Sequence, residues 1–232
     1  MSLYSWRDRA IEQAQSVDRG RLRSLRTVER IVSAARALVI AGRGEPFTLQ
    51  NVVERSSCSL QTIYRYFPSK DDLLLAVFEE TIAAGTEMIR AVAAGHRDPV
   101  ERLRAIVAAS IPEIPPDGFD MDATVLVSVH TRLALLFPTE VERAQQPYVE
   151  LVRETLQQML DAGRIPPRVS LDEDARLITY LARATFQAMI TSRSGEPRAR
   201  VAEHAAEFCL AALEVRGASP RGPGLSGEVR QL

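Results

Sequence analysis

The side chains best suited to recognition chemistry in this chain stand almost consecutively: Gln61, Thr62, Tyr64, Arg65 and Tyr66. They offer an amide, hydroxyls and a guanidinium, which bond base edges and phosphate oxygens. Ile63 and Phe67, four apart, put one helix face toward a core and leave these five facing out. A short helix with such an outer face suits the major groove of duplex DNA. Gln61, Thr62 and Arg65 are assigned to base edges, and Leu60 can touch a thymine methyl.

A helix this short needs support on both sides, and the flanking residues supply it. Thr48 caps a preceding helix whose Leu49, Val52 and Val53 turn inward. Ser56, Ser57 and Cys58 form a tight turn. Ser59 caps the recognition helix, 59–66, by offering its hydroxyl to the free N–H groups of the first turn. Pro68 stops it. Ser69 then caps a long helix over 71–94, which Asp71 and Asp72 favour through its N-terminal dipole and Gly95 ends. The pattern is a helix-turn-helix within 48–67.

Phe47-Thr48, Val52, Ser59, Thr62-Ile63-Tyr64, Tyr66-Phe67, Lys70 and Leu73 resemble, at fixed spacing, the DNA-binding domain of TetR-type transcriptional regulators. Two departures stand out. Ser56-Ser57 replaces the family's usual Ala-Gly, and a serine adopts the left-handed conformation only at a cost. Cys58 stands where a small aliphatic is usual. The resemblance implies an all-α protein with phosphate contacts from Thr48, Tyr64 and Lys70. It also implies a homodimer on a double-stranded DNA operator and a second helical domain that binds a small molecule. The dimer would form through 171–192 and 197–215, with Leu177, Leu181, Ala184, Ala188, Phe208 and Ala212 in the seam. Ligand would shift the long helix and change the separation of the two recognition helices.

The charge is unevenly spread. Residues 1–70 hold 12 basic and 6 acidic side chains, and residues 71–232 hold 17 and 24. A basic front and an acidic back fit one part meeting phosphate and another not. Lys70 is the one lysine; all other basic side chains are arginine. Residues 1–24 form a basic arm in which Trp6 and Ile11 can anchor a short helix; the arm either follows the DNA backbone or is a tail. With 46% apolar and 25% charged residues, the chain is expected to be soluble, globular and cytoplasmic. No membrane span or signal peptide is evident. Cys58 and Cys209 make neither a disulfide framework nor a metal site.

The remainder shows helical periods and no strands. The DNA-binding domain occupies 25–70, opening on an amphipathic helix, 25–42, that Gly42 stops. The helical ligand-binding and dimerisation domain follows over 71–215. Asp98-Pro99 opens a helix to about Ile111, and 112–122 is a loop. The segment 121–137 is apolar nearly all round, which marks a buried central helix. Pro138 opens another, and Pro147 either kinks it or starts a new one to Gly163. The last residues, 216–232, are Gly/Pro/Ser-rich and form a tail.

No catalytic set emerges, and no enzyme, metal or cofactor is expected. His96, His130 and His204 lie on separate segments without metal-ligand spacing. Aromatic and soft side chains instead suggest a mostly apolar effector cavity bounded by Val125, Val129, His130, Leu133, Tyr148, Val152 and Phe186. His130 is either a satisfied core histidine or the cavity's polar handle. The chain is therefore expected to be a DNA-binding regulator, a repressor released by a small, mostly apolar effector. The alternative is a ligand-independent DNA-binding protein of the same fold, which a sealed second domain would favour.

Overall fold

The computed structural model describes residues 5–13, 21–41, 47–111, 121–167, 170–191 and 197–217. Within these it describes all side chains except those of residues 21–22, 121–126, 128, 191 and 214–217. The described residues form helices and no strand, as expected. They are α1 (Trp6–Gln13), α2 (Arg21–Ala41), α3 (Leu49–Ser56), α4 (Leu60–Tyr66), α5 (Lys70–Ala94), α6 (Pro99–Ala109), α7 (Met121–Leu136), α8 (Pro138–Asp161), α9 (Leu171–Thr191) and α10 (Arg198–Gly217).

Two cores divide the chain. Val28, Ile31, Val32 and Ala35 of α2 pack with Val52, Ile63 and Phe67 into the first. Leu103, Ile106 and Val107 of α6 pack with Leu156, Met159, Ala175, Ala206 and Cys209 into the second. The helix α5 belongs to both: Leu73 to Phe78 lie in the first core, Ile89 and Ala93 in the second. This one helix thus contributes side chains to both cores.

Within the N-terminal segment, Trp6 and Ile11 anchor the expected short helix. Trp6, Ala10 and Ile11 are buried, so α1 docks onto α2, α4 and α5. Trp6 donates its backbone N–H to Glu79 at 3.1 Å, and Arg9 pairs with the same carboxylate. Arg7 reaches Glu29 at 3.3 Å and Glu80 at 3.6 Å. Apolar burial and local acids thus hold both arginines on the protein. Residues 1–4 and 14–20, the stop at Gly42, the loop residues 112–120 and the tail 218–232 lie outside the described residues.

Two expectations change. The apolar helix α7 is not central. Leu133 is fully buried, but Leu135 is 80% exposed and Leu136 52% exposed. Among the described side chains of α7, the stripe through Val129, Leu133 and Ala134 packs on the first core, while Leu135 and Leu136 face out. Of the two readings of Pro147, a new helix is excluded: α8 runs through it, without the hydrogen bond that its missing N–H would make.

Candidate functional site

The exposed end of the first core is built by caps. Thr48 accepts from the Asn51 N–H at 3.2 Å while Asn51 accepts from the Thr48 N–H at 2.9 Å, a reciprocal box that starts α3. The turn to α4 passes through Ser57 at φ 52, the left-handed conformation for which the departure from glycine carries a cost. Ser59 starts α4 by accepting from the Thr62 N–H at 3.1 Å, and the two hydroxyls are hydrogen-bonded to each other at 2.8 Å. Ser69 and Asp72 form a second box at the start of α5, at 3.2 and 3.0 Å. Each cap removes one source of slack, and the short α4 is held at both ends.

Its outer face is polar. Gln61 and Arg65 are exposed, as are Leu60 at 40% and Tyr64 at 48%; Thr62 is half-buried. Ile63 and Phe67 are buried as the spacing requires. Tyr66 corrects the expectation that it faces out: it is buried at 4%, because at the last position of α4 its ring completes the first core. Arg65 lies over that ring, 5.0 Å from its centre, and donates to the Tyr66 hydroxyl at 3.5 Å. Lys70 is half-buried rather than extended toward solvent. Its Nζ donates to the Phe47 carbonyl and stands 4.6 Å from the Phe47 ring, which ties the start of α5 to the residue before the cap of α3.

A second site lies farther along α5. A cavity of about 660 Å³ opens among α2, α5, α6, α7, α8, α9 and α10. Phe78, Ile82, Ile89, Ile111 and Phe186 make much of its wall. The sequence pattern had placed His130, Tyr148 and Phe186 here, and all three line it. Val129, Leu133 and Val152 do not. On α7, one step of 100° separates Val129 from His130; Val129 and Leu133 turn into the first core while Val127 and His130 face the cavity. Val152 is fully buried in the second core behind Tyr148. The Val125 side chain lies outside the described residues.

Two polar stations interrupt the apolar wall. At one, Ser110 and Tyr148 share a hydroxyl hydrogen bond at 2.7 Å, and burial pushes the Tyr148 phenol up to about 12, so it stays neutral. At the other, His130 Nε2 lies 3.3 Å from an Arg183 N–H and 3.4 Å from the Gln145 amide nitrogen. A guanidinium only donates, so Nε2 accepts and the ring proton sits on Nδ1. Burial, and then the nearby Arg183 charge, hold the His130 pKa below its usual value, which keeps the ring neutral. The arginines Arg36, Arg183 and Arg198, which also line the cavity, were missed from sequence. They sit on three helices far apart in the chain, and no local pattern joins them. Among the described residues no cluster of His, Cys, Asp and Glu could hold a metal ion, and no helix is long and apolar enough to cross a membrane.

The pattern that defines bacterial regulatory proteins of the tetR family matches residues 31–77. Several solved structures share the fold. RolR in complex with resorcinol superposes with a TM-score of 0.64 at 18% identity, covering 83% of this chain and 90% of that one. Thermus thermophilus FadR, a repressor in complex with lauroyl-CoA, gives 0.62 at 23% identity, covering 85% and 99%. FadR from Bacillus halodurans, a fatty acid degradation regulator, gives 0.60 at 18%, covering 80% and 98%. No curated protein sequence matches the chain.

Proposed function

We propose that this chain, which carries the DNA-binding domain of the tetR family of bacterial regulatory proteins, is a homodimeric repressor released from its operator by a small ligand. The observation that carries it is the capped α3–α4 pair with Leu60, Gln61, Tyr64 and Arg65 exposed on one face. On this reading Gln61, Thr62 and Arg65 meet base edges, and Thr48 and Tyr64 meet phosphate. Lys70 also reaches phosphate if it leaves the Phe47 carbonyl; Tyr66 acts from inside by backing Arg65. The open cavity favours the ligand-responsive alternative over a sealed second domain. Structures of this fold that hold a phenol and an acyl-CoA support the same view.

The dimer is proposed through α9 and α10. Leu177 and Tyr180 are each 49% exposed and Phe208 is 59% exposed, and Ala184, Ala188 and Ala212 are exposed beside them. Isolated apolar residues are ordinary at a surface, but Leu177, Tyr180, Ala184 and Ala188 recur at helical spacing along α9, which supports this reading.

Fluorescence anisotropy on genomic fragments selected by the protein tests the DNA reading. Affinity falls steeply with added salt, because phosphate contacts release counterions. Arg65→Ala relaxes sequence preference by about 1–3 kcal/mol at one base pair, while Tyr64→Phe weakens binding to all sequences alike. A protein with no preference over random duplex would end the proposal.

A further inference from the structure

We infer that the ligand of the cavity is an organic carboxylate: an apolar body whose acidic head is seated by Arg183 beside His130 and Gln145. This rests on the reading of the cavity as a ligand site and deepens it, since composition alone had pointed to a mostly apolar compound.

The argument starts from the charge of the lining. Arg36, Arg183 and Arg198 contribute three guanidinium groups, and no carboxylate stands among the described lining residues. Arg183 is the one to receive the head. Its described contacts are the His130 ring nitrogen and the Tyr180 ring face at 5.4 Å; neither is an anion. One N–H spent on an imidazole leaves the others of its planar fork, which matches the two oxygens of a carboxylate. Arg198 differs: its guanidinium donates to the Ala108 and Ile111 carbonyls and so closes the C-terminal end of α6.

The surroundings strengthen the effect. Arg183 is exposed at the edge of the cavity, with Phe186 and Val127 among the lining residues, and a carboxylate drawn against those apolar groups pairs with it more strongly than one in open water. An ammonium group placed there would meet Arg183 without a counter-charge. A hydroxyl would find the donors but gain little from the charge. The cavity's other hydrogen-bonded polar pair, Ser110–Tyr148, is already mutually satisfied and asks for no ionic partner.

Matched probes decide the point: 4-phenylbutyrate, 4-phenylbutan-1-ol and 4-phenylbutylamine, together with octanoate, octan-1-ol and octylamine. Binding to the full chain is read by thermal shift and calorimetry, with no DNA present. The acid of at least one skeleton binds at least about tenfold more tightly than its alcohol, and the amines do not bind. Arg183→Gln removes the acid's advantage while the alcohol's affinity stays; Arg183→Glu reverses the preference toward the amine, with helicity checked by circular dichroism. Equal affinity for acid and alcohol, preference for the amine, or no acid binding at all overturns the inference. Because these readouts involve no DNA, their failure leaves the regulator proposal standing. Absence of operator binding would likewise leave the acid preference intact.

Discussion

The DNA-binding end and the cavity end of this molecule are both bundles of amphipathic helices, but they finish their surfaces in opposite ways. At α3 and α4 the apolar residues Val52, Ile63 and Phe67 are buried, and what faces out is mainly Gln61, Tyr64 and Arg65. At α7, α9 and α10 large apolar groups face out: Leu135, Leu136, Leu177, Tyr180 and Phe208. Inside, a cavity of about 660 Å³ opens between the two cores, walled by Phe78 and Ile82 on the side of the first and by Ile89 and Ile111 on the side of the second. A region that presents polar groups to a polyanion needs a rigid, filled base. The apolar surface and volume left at the other end fit the proposed partner copy and ligand.

The largest effect expected from breaking this contrast is at the outward apolar face of α9. Ala184 is exposed in the single chain but sits among Leu177, Tyr180 and Ala188. Ala184→Glu would bury a lone carboxylate in the proposed twofold seam, which is strongly unfavourable. Sedimentation is expected to show monomers with an unchanged helical circular dichroism spectrum. A persistent dimer would move the interface elsewhere. The same charge at Gln61 on α4 leaves the oligomer untouched.

Next in size is a comparison of fillings. Ile63 is fully buried in the first core, and truncation to alanine is expected to cost about 2–5 kcal/mol in urea unfolding. Phe186 is the larger side chain but only half-buried, with the cavity along one side. Dispersion contacts are missing on that side, so Phe186→Ala costs less than Ile63→Ala despite removing more atoms. Equal losses would mean that the cavity is closed by packing in solution.

The two ends were also unequally legible in the sequence. Caps and turns are local: Thr48, Ser59, Pro68 and Ser69 act on backbone groups within a few residues, so the element boundaries from 48 to 94 could be read directly. The cavity is not local. His130, Tyr148 and Phe186 could be picked as candidates by type, but Val129 and Leu133 share their apolar character and differ only in azimuth on α7. Arg36 and Arg198 reach the same space from opposite ends of the chain. Tyr66 was misplaced for a related reason: it stands at a helix terminus, where the period that assigns faces has no following turn to anchor it. Leu135 and Leu136 show the converse, that apolar composition alone does not prove burial when a partner surface can exist.

A smaller effect tests the caps themselves. The helices α3, α4 and α5 all begin on a hydroxyl that accepts a backbone N–H, whereas α8 begins at Phe137 without a side-chain cap and relies on Pro138. Ser69→Ala is expected to lower stability by about 0.5–2 kcal/mol in urea titration. It should also reduce DNA affinity, since the box at Ser69 fixes α5 next to α4. Unchanged DNA affinity would show that the Lys70–Phe47 contact holds this joint by itself.

The smallest effect lies at the boundary between the two ends. Arg132 of α7 donates through Nε and Nη2 to both oxygens of Asp71 in the first turn of α5, at 2.8 and 2.7 Å. That hydrogen bonding, more than the charge alone, holds the Asp71 carboxyl below its ordinary 3.8. The folded state therefore binds this proton more weakly than the unfolded state. The pair contributes above the unfolded pKa and its contribution is lost as pH falls through the folded one. Both groups touch solvent, with side-chain exposures of 64% for Arg132 and 22% for Asp71, so salt screens the pair and its contribution is small. Asp71→Asn should lie slightly below the parent in urea stability at neutral pH and low salt. The two should converge in acid below the folded pKa, and again in high salt at neutral pH. A gap that survives both conditions would assign the loss to packing of the amide rather than to the pair. A joint this weak suits the proposed mechanism, in which ligand in the cavity tilts α5, because a strong joint would resist that tilt.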